Sequence, residues 1–370
     1  MKKRTILLAT FIAICLIVSV SALLIVNANT NNSPPINGQI TCHALKENPG
    51  GINIVFLASE EDAKKYSDYL LTIVPFSEYR DKLNFYYIPP TEYKADCSLY
   101  QNIAVLCNSK ENIKAASVCP NDIRVILVSK PASIRSSALK GTLSLNTEHP
   151  LQVFAHEIGH GIAYFAEEYL SPGSTLPKGA GNCLKNCEEI QNLPNSKNYG
   201  CYPECTTSDY NREFPEGIMR TLHAERYGNL DENLLREKIE KASQKTTVTG
   251  LAIGDEKPCS EQQFYLIEGS SVELVQGCPP GEDFQYGESA YAITNEEGEI
   301  TTTGQTNPVL FTTDYSDGPI TAPSVLPDSN EVQSVITVPV TGDEDTLTIY
   351  DERGNPALQV LLRGTGARPC

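Results

Sequence analysis

Two histidines and a glutamate fall in the order His-Glu-x-x-His, at His156, Glu157 and His160. On a helix, residues four apart lie on one face about 6 Å from each other. Two imidazoles so placed can both reach one divalent cation, at a Zn–N distance of roughly 2.0–2.1 Å. Glu157 sits about 100° round the helix from His156, beside the metal's open side rather than beneath it. A carboxylate there can take a proton from an attacking water and hand it to a leaving amine. The competing reading is a surface helix that carries two unpaired histidines, in a chain that has only five histidines in all.

The flanks predict the helix that must hold these groups. Phe154, Ile158, Ile162, Phe165 and Tyr169 recur at spacings of three and four and form one apolar stripe. His156, Glu157, His160, Glu167 and Glu168 fall off that stripe, which predicts packing on one side and a metal cleft on the other. Pro150 suits the start of the helix, and Ser171-Pro172-Gly173 punctuates its end.

A chain of 370 residues suggests two domains. Its net charge of −17 argues against nucleic acid, because phosphate binding needs concentrated Lys and Arg and none is visible. The acidic balance suits a soluble surface outside the cell. Lys2, Lys3 and Arg4 precede an apolar run from Ile6 to Val26. At about 21 residues this run is long enough to cross a membrane as a helix. The favoured reading is an uncleaved anchor with its basic flank in the cytoplasm; the other is a signal cleaved after Ala28. Either way the body is exported, membrane-anchored or secreted. Twelve cysteines fit that compartment: Cys15 lies in the apolar run, and the odd set of eleven that follows reads mainly as disulfides.

Taken in order, 1–28 is the anchor or signal helix and 29–48 a polar linker. The 49–245 segment is predicted to be an α/β domain, and 246–370 an all-β sandwich. Strands are expected over Ile52–Leu57, Leu83–Ile88, Asn102–Leu106 and Ile123–Val128, with a helix over Ser59–Leu71. Strands alternating with helices ahead of a metal helix describe a twisted sheet with helices packed on it. Between Ser171 and Gly217 lies a turn-rich loop with Cys183, Cys187, Cys201 and Cys205. Their spacing in an exported chain predicts disulfides that staple the loop, rather than a structural zinc. Gly217-Ile218-Met219-Arg220 ends this loop and holds the one methionine besides Met1. A lone methionine in a tight turn downstream of the histidines is similar to the Met-turn beneath the zinc of metzincins. Helices over Thr221–Gly228 and Asn233–Ala242 are expected to close the domain. Beyond about Thr246, Val, Thr and Ile alternate with polar residues between turn signals, the pattern of a β-sandwich used as an accessory or adhesion module.

The chain resembles the IgA-peptidase-type zinc metallopeptidases. Their signature is His-Glu-x-Gly-His, four residues, an apolar residue, Ala, an acidic residue, then Glu-Tyr. Here these are His156, Glu157, Gly159, His160, Phe165, Ala166, Glu167, Glu168 and Tyr169, with Glu167 where Asp is usual. Weaker likeness runs through Ile52–Leu57, from Pro75-Phe76 to Asn84-Phe85, and from Tyr210 to Arg220, so that it covers roughly 50–245. The resemblance implies a zincin-like α/β (α+β) domain and a Zn²⁺-dependent endopeptidase acting on a protein or peptide, without fixing which one.

Ligands from His156 and His160 leave a third to be found. The position ten residues after His156, where metzincins place a histidine, is Ala166. Glu168 is the favoured third ligand, if the helix breaks near it, with Glu167, Glu204, Asp209 and His223 as rivals. Glu167 shares the histidines' face but would lie about 10 Å from His160 along an unbroken helix. Two other classes stay open: an inactive shell that binds surfaces through its β-domain, and a zinc amidase acting on cell-wall substrates.

Overall fold

A computed structural model describes residues 40–171, 176–248, 258–268, 271–281, 289–306, 311–313, 335–340, 346–350 and 354–362. The predicted anchor or signal helix over 1–28 and most of the 29–48 linker lie outside them. Among the described residues, no helix is long and apolar enough to cross a membrane.

The chain begins with β1 (His43–Lys46), β2 (Ile52–Leu57), α1 (Glu60–Leu70) and β3 (Leu83–Ile88). A hairpin of β4 (Ser98–Tyr100) and β5 (Ala104–Leu106) leads to α2 (Lys110–Ala116) and β6 (Ile123–Val128). A second hairpin, β7 (Ser136–Leu139) and β8 (Thr142–Asn146), precedes α3 (Leu151–Ala163). After it come α4 (Cys187–Gln191), β9 (Tyr202–Cys205), β10 (Thr207–Arg212) and α5 (Asn229–Val248). After a short 3-10 turn at Cys259–Glu261, the described elements are strands: β11 (Gln263–Glu268), β12 (Ser271–Gln276), β13 (Ser289–Thr294), β14 (Ile300–Thr306), β15 (Phe311–Thr313), β16 (Val335–Pro339), β17 (Thr346–Tyr350) and β18 (Pro356–Leu361).

The central sheet has the order β1-β3-β2-β6-β8-β7-β15. Its middle, β3-β2-β6-β8, is parallel, while β1, β7 and β15 run antiparallel to their neighbours. Parallel strands are covered on both faces and so read as near-continuous apolar runs. INIVFL at β2 illustrates this. Ile52, Ile54 and Phe56 enter a core with Tyr66 and Leu70 of α1, Phe154, Ile158 and Ile162 of α3, and Leu235 and Ile239 of α5. Val55 and Leu57 enter a second core with Ile126, Val105 and Ala115–Ala116 of α2. Helix α1 starts where Ser59 accepts a hydrogen bond from the Asp62 amide, with Glu60, Glu61 and Asp62 in its first turn.

Several expectations change. His43–Lys46, placed in the linker, pairs with β3. The helix foreseen at Thr221–Gly228 is a series of turns, and Asn233–Ala242 falls within the longer α5. Helix α3 ends at Ala163, well before Tyr169.

Five disulfides, Cys42–Cys119, Cys97–Cys107, Cys183–Cys205, Cys187–Cys201 and Cys259–Cys278, mark an oxidising or extracellular environment. Cys15 and Cys370 lie outside the described residues. The loop cysteines pair in nested fashion, as staples. Beyond Pro258, β12-β11-β16 and β14-β13-β17-β18 form two antiparallel sheets that share one apolar cluster, including Tyr265, Ile267, Tyr291, Ile293, Ile336 and Leu347. These sheets touch the segment that carries α2. The Cys278 amide donates to the Ser117 carbonyl at 2.7 Å, and Ile113 of α2 packs with Phe264, Leu266, Val275 and Val335.

Candidate metal centre

Helix α3 is buried on every side from Val153 to Ala163. Its apolar stripe meets the sheet, and Met219 and Tyr227 pack on another face. A Cβ at Gly159 would stand 2.7 Å from Met219 Sδ and 3.2 Å from both Phe165 and Tyr227 side chains, so only glycine lets the methionine turn approach. The Tyr227 hydroxyl donates to the Ala155 carbonyl.

The helix stops at Tyr164, which takes left-handed backbone angles (φ 56°, ψ 38°). The Tyr164 amide donates to the His160 carbonyl at 3.0 Å, the 5→1 bond of a helix closed by a left-handed residue, and the Phe165 amide donates to the Gly159 carbonyl at 3.4 Å. Asn182 then fixes the outgoing strand: it accepts from the Ala166 amide at 2.8 Å and donates to the Ala166 carbonyl at 2.9 Å. Thr206 donates to the Glu167 carbonyl, and the Glu168 amide to the Met219 carbonyl at 3.0 Å. The chain folds back on its own helix, and Glu167 returns to the histidines.

His156 Nε2 lies 3.1 Å from His160 Nε2 and 3.1 Å from Glu167 Oε2. His160 Nε2 lies 3.4 Å from Glu167 Oε1. A tetrahedral site with metal–ligand bonds of roughly 2.0–2.1 Å has edges of about 3.3–3.4 Å. One ligand atom from each of the three lies within 4.8 Å of the others, so the group could hold a metal ion, and it is the one such group of three or more among the described residues. Each imidazole has its other nitrogen occupied: Nδ1 of His156 faces the Ile218 carbonyl at 2.9 Å, and Nδ1 of His160 faces the Phe165 carbonyl at 2.6 Å. A carbonyl only accepts, so both Nδ1 atoms carry a proton and both Nε2 atoms point inward.

Electrostatics agree with a cation in the middle. Burial works against charge on His156, but the Glu167 carboxylate outweighs it and lifts the imidazole to about 9. Burial also pushes Glu167 up, yet the two imidazoles hold it down at about 2. For His160 burial wins, and its pKa lies below the ordinary value. Without metal the trio thus holds a His156 imidazolium against the Glu167 carboxylate, and a metal would take the place of that proton. Glu157 is fully buried, and its charge contributes to raising the pKa of His156, as expected of a carboxylate next to the ligand pair.

The sequence favoured Glu168 as third ligand; the structure brings Glu167 to the histidines instead. Glu168 points the other way, toward Arg212, Glu213 and Asn182, where burial first, and Glu213 next among the groups that raise it, pushes its carboxyl up to about 8. Its rivals are also elsewhere. Glu204 pairs with Arg220 at 3.6 Å, and Asp209 and His223 are exposed. Arg220 donates to the Glu168 carbonyl at 2.9 Å, and Arg212 to the carbonyls of Pro203 and Glu204. Tyr210 is half-buried on the Ala166–Cys183–Cys205 cluster. Tyr169 is buried beside Glu167, where burial and then that carboxylate raise its phenol well above the ordinary value. Asn182 and the Ile218 carbonyl were not foreseen. Only the methionine next to Ile218 offered a signal.

No protein-family model matches the chain, and no curated protein matches it.

Proposed function

We propose that the protein is an exported, zinc-dependent endopeptidase of the IgA-peptidase type, with a zincin-like domain before a β-sandwich. The observation that carries this reading is the convergence of His156 Nε2, His160 Nε2 and the Glu167 carboxylate within metal-ligating reach of one another, with Glu157 beside them. When bound there, zinc supplies Lewis-acid polarisation of the peptide carbonyl and acidifies water.

The chain's own groups do the rest. The Ile218 and Phe165 carbonyls hold the imidazoles in the tautomer that presents Nε2 inward. Glu157 takes the proton of the attacking water at its carboxylate and returns it to the departing amide nitrogen. The burial of all four side chains gives their charges a low-dielectric setting, in which electrostatic stabilisation of a developing oxyanion is strong. The disulfides and the basic-then-apolar start of the chain support export, by anchor or by cleaved signal.

The test is hydrolysis of denatured casein by the zinc-loaded protein. Cleavage should stop with a chelator and return with one equivalent of zinc. Casein cleavage that survives metal removal would sink the reading, and chelator-sensitive action on peptidoglycan alone would move it to an amidase.

A further inference from the structure

The central sheet ends on a strand that comes from far along the chain. Through β8 and β7 the sheet belongs to the segment that carries the metal centre, and β7 is its last antiparallel strand. An edge of this kind presents a row of backbone N–H and C=O groups that any extended chain can pair with. Here β15 takes that edge, with Phe311 opposite Ala138, Thr312 opposite Ser137 and Thr313 opposite Ser136. Among the described strands beyond Pro258, it alone leaves the two C-terminal sheets to do so.

Three observations connect this edge with the candidate centre. Both β7 and β15 lie against α3, the helix of His156, Glu157 and His160. Arg135, immediately before β7, is close enough for its charge to act on the Tyr169 phenol, which stands next to Glu167. Because Thr313 is opposite Ser136, β15 runs with its C-terminal end toward that corner. The centre itself is closed: His156 and Glu157 are 0 % exposed, Glu167 1 % and His160 2 %. A peptide substrate would have to reach these groups, and the β7 edge lies against the helix that carries three of them.

We propose that Phe311–Thr313 is a built-in competitor for the peptide: it holds the β7 edge, keeps the protein latent, and leaves when an extended peptide takes its place. The identity of the incoming chain as substrate rests on the peptidase reading; the exchange of one strand for another does not. Among the described residues β15 makes three residue pairs, fewer than a longer incoming strand would make. If the edge is free for about a tenth of the time, releasing β15 raises apparent peptide affinity about tenfold.

Two backbone variants test this. Neighbouring N–H groups in a strand point to opposite sides, so either Thr312→Pro or the pair Phe311→Pro with Thr313→Pro removes the donors that face β7. Each is placed in the zinc-loaded full chain carrying Glu157→Gln, and a labelled peptide rich in valine and threonine is titrated by fluorescence anisotropy. One of the two should bind about tenfold more tightly than the Glu157→Gln parent. Conversely, a disulfide between Thr312→Cys and Ser137→Cys should weaken peptide binding, and this decides the matter if the proline chains do not fold. Folded proline variants with unchanged affinity, or a cross-linked chain that binds as well as its parent, would overturn the proposal. The same proline changes in the Glu157 background should speed casein hydrolysis. Tighter binding without chelator-sensitive hydrolysis in any variant would leave the strand exchange standing and remove the peptidase reading. Chelator-sensitive hydrolysis with no gain in binding would do the reverse.

Discussion

Glu157→Gln is expected to lower casein hydrolysis by about three orders of magnitude while zinc content stays at the level of the parent, because a positioned proton-transfer group contributes about 10²–10⁴ in rate. Glutamine keeps the shape of the side chain but removes its charge and has no basic oxygen that can hold the water's proton. Glu157 is not among the three convergent donors, so metal retention separates lost proton transfer from a lost site. The expected pattern is a fall in kcat with KM nearly unchanged, since the proton moves only as the transition state forms. Activity within about tenfold of the parent would remove Glu157 from its role as base.

The second large effect concerns the third ligand. Glu167→Ala should weaken zinc binding by more than about a hundredfold, because even groups that only support a ligand are worth about 10–100-fold. Glu168→Gln should keep the zinc of the parent. Adjacent carboxylates in one buried segment are thus expected to behave in opposite ways: one is held ionised at about 2 by two imidazoles, the other is driven by burial up to about 8 beside Glu213. Loading of the parent should weaken as pH falls, since His156, raised to about 9 without metal, must lose a proton when metal binds. Equilibrium dialysis of zinc against the three proteins decides this. Retention by Glu167→Ala with loss by Glu168→Gln would restore the assignment made from the sequence.

That contrast shows where the sequence stops being readable. His156 and His160 could be placed on one face because helical spacing is a local rule, and the apolar stripe around them is just as local. The position of Glu167 depends on where the helix stops, and it stops at a tyrosine in the left-handed conformation, with neither Gly nor Pro to announce it. The break is imposed by partners distant in sequence: Asn182 on both polar groups of the Ala166 backbone, and the Met219 carbonyl on the Glu168 amide. Beyond the break, Phe165 and Tyr169 prolong the apolar spacing by coincidence with a core they enter from a folded-back strand.

The strands followed the same division. INIVFL, LNFYYI and IRVILV are buried on both faces and announce themselves by composition. The Ser-rich β7 and the three residues of β15 do not, because pairing partners rather than side chains make them strands. The expected disulfide staples could be read from compartment and spacing, whereas the nested pairing of Cys183–Cys205 and Cys187–Cys201 needed the loop's path.

Zinc-edge X-ray absorption of the purified, metal-loaded protein tests the central claim most directly. Two imidazole nitrogens and carboxylate oxygen in the first shell, at about 2.0–2.2 Å and with no sulfur, are predicted for the parent. A first shell containing sulfur at about 2.3 Å, or one without imidazole scattering, would contradict it.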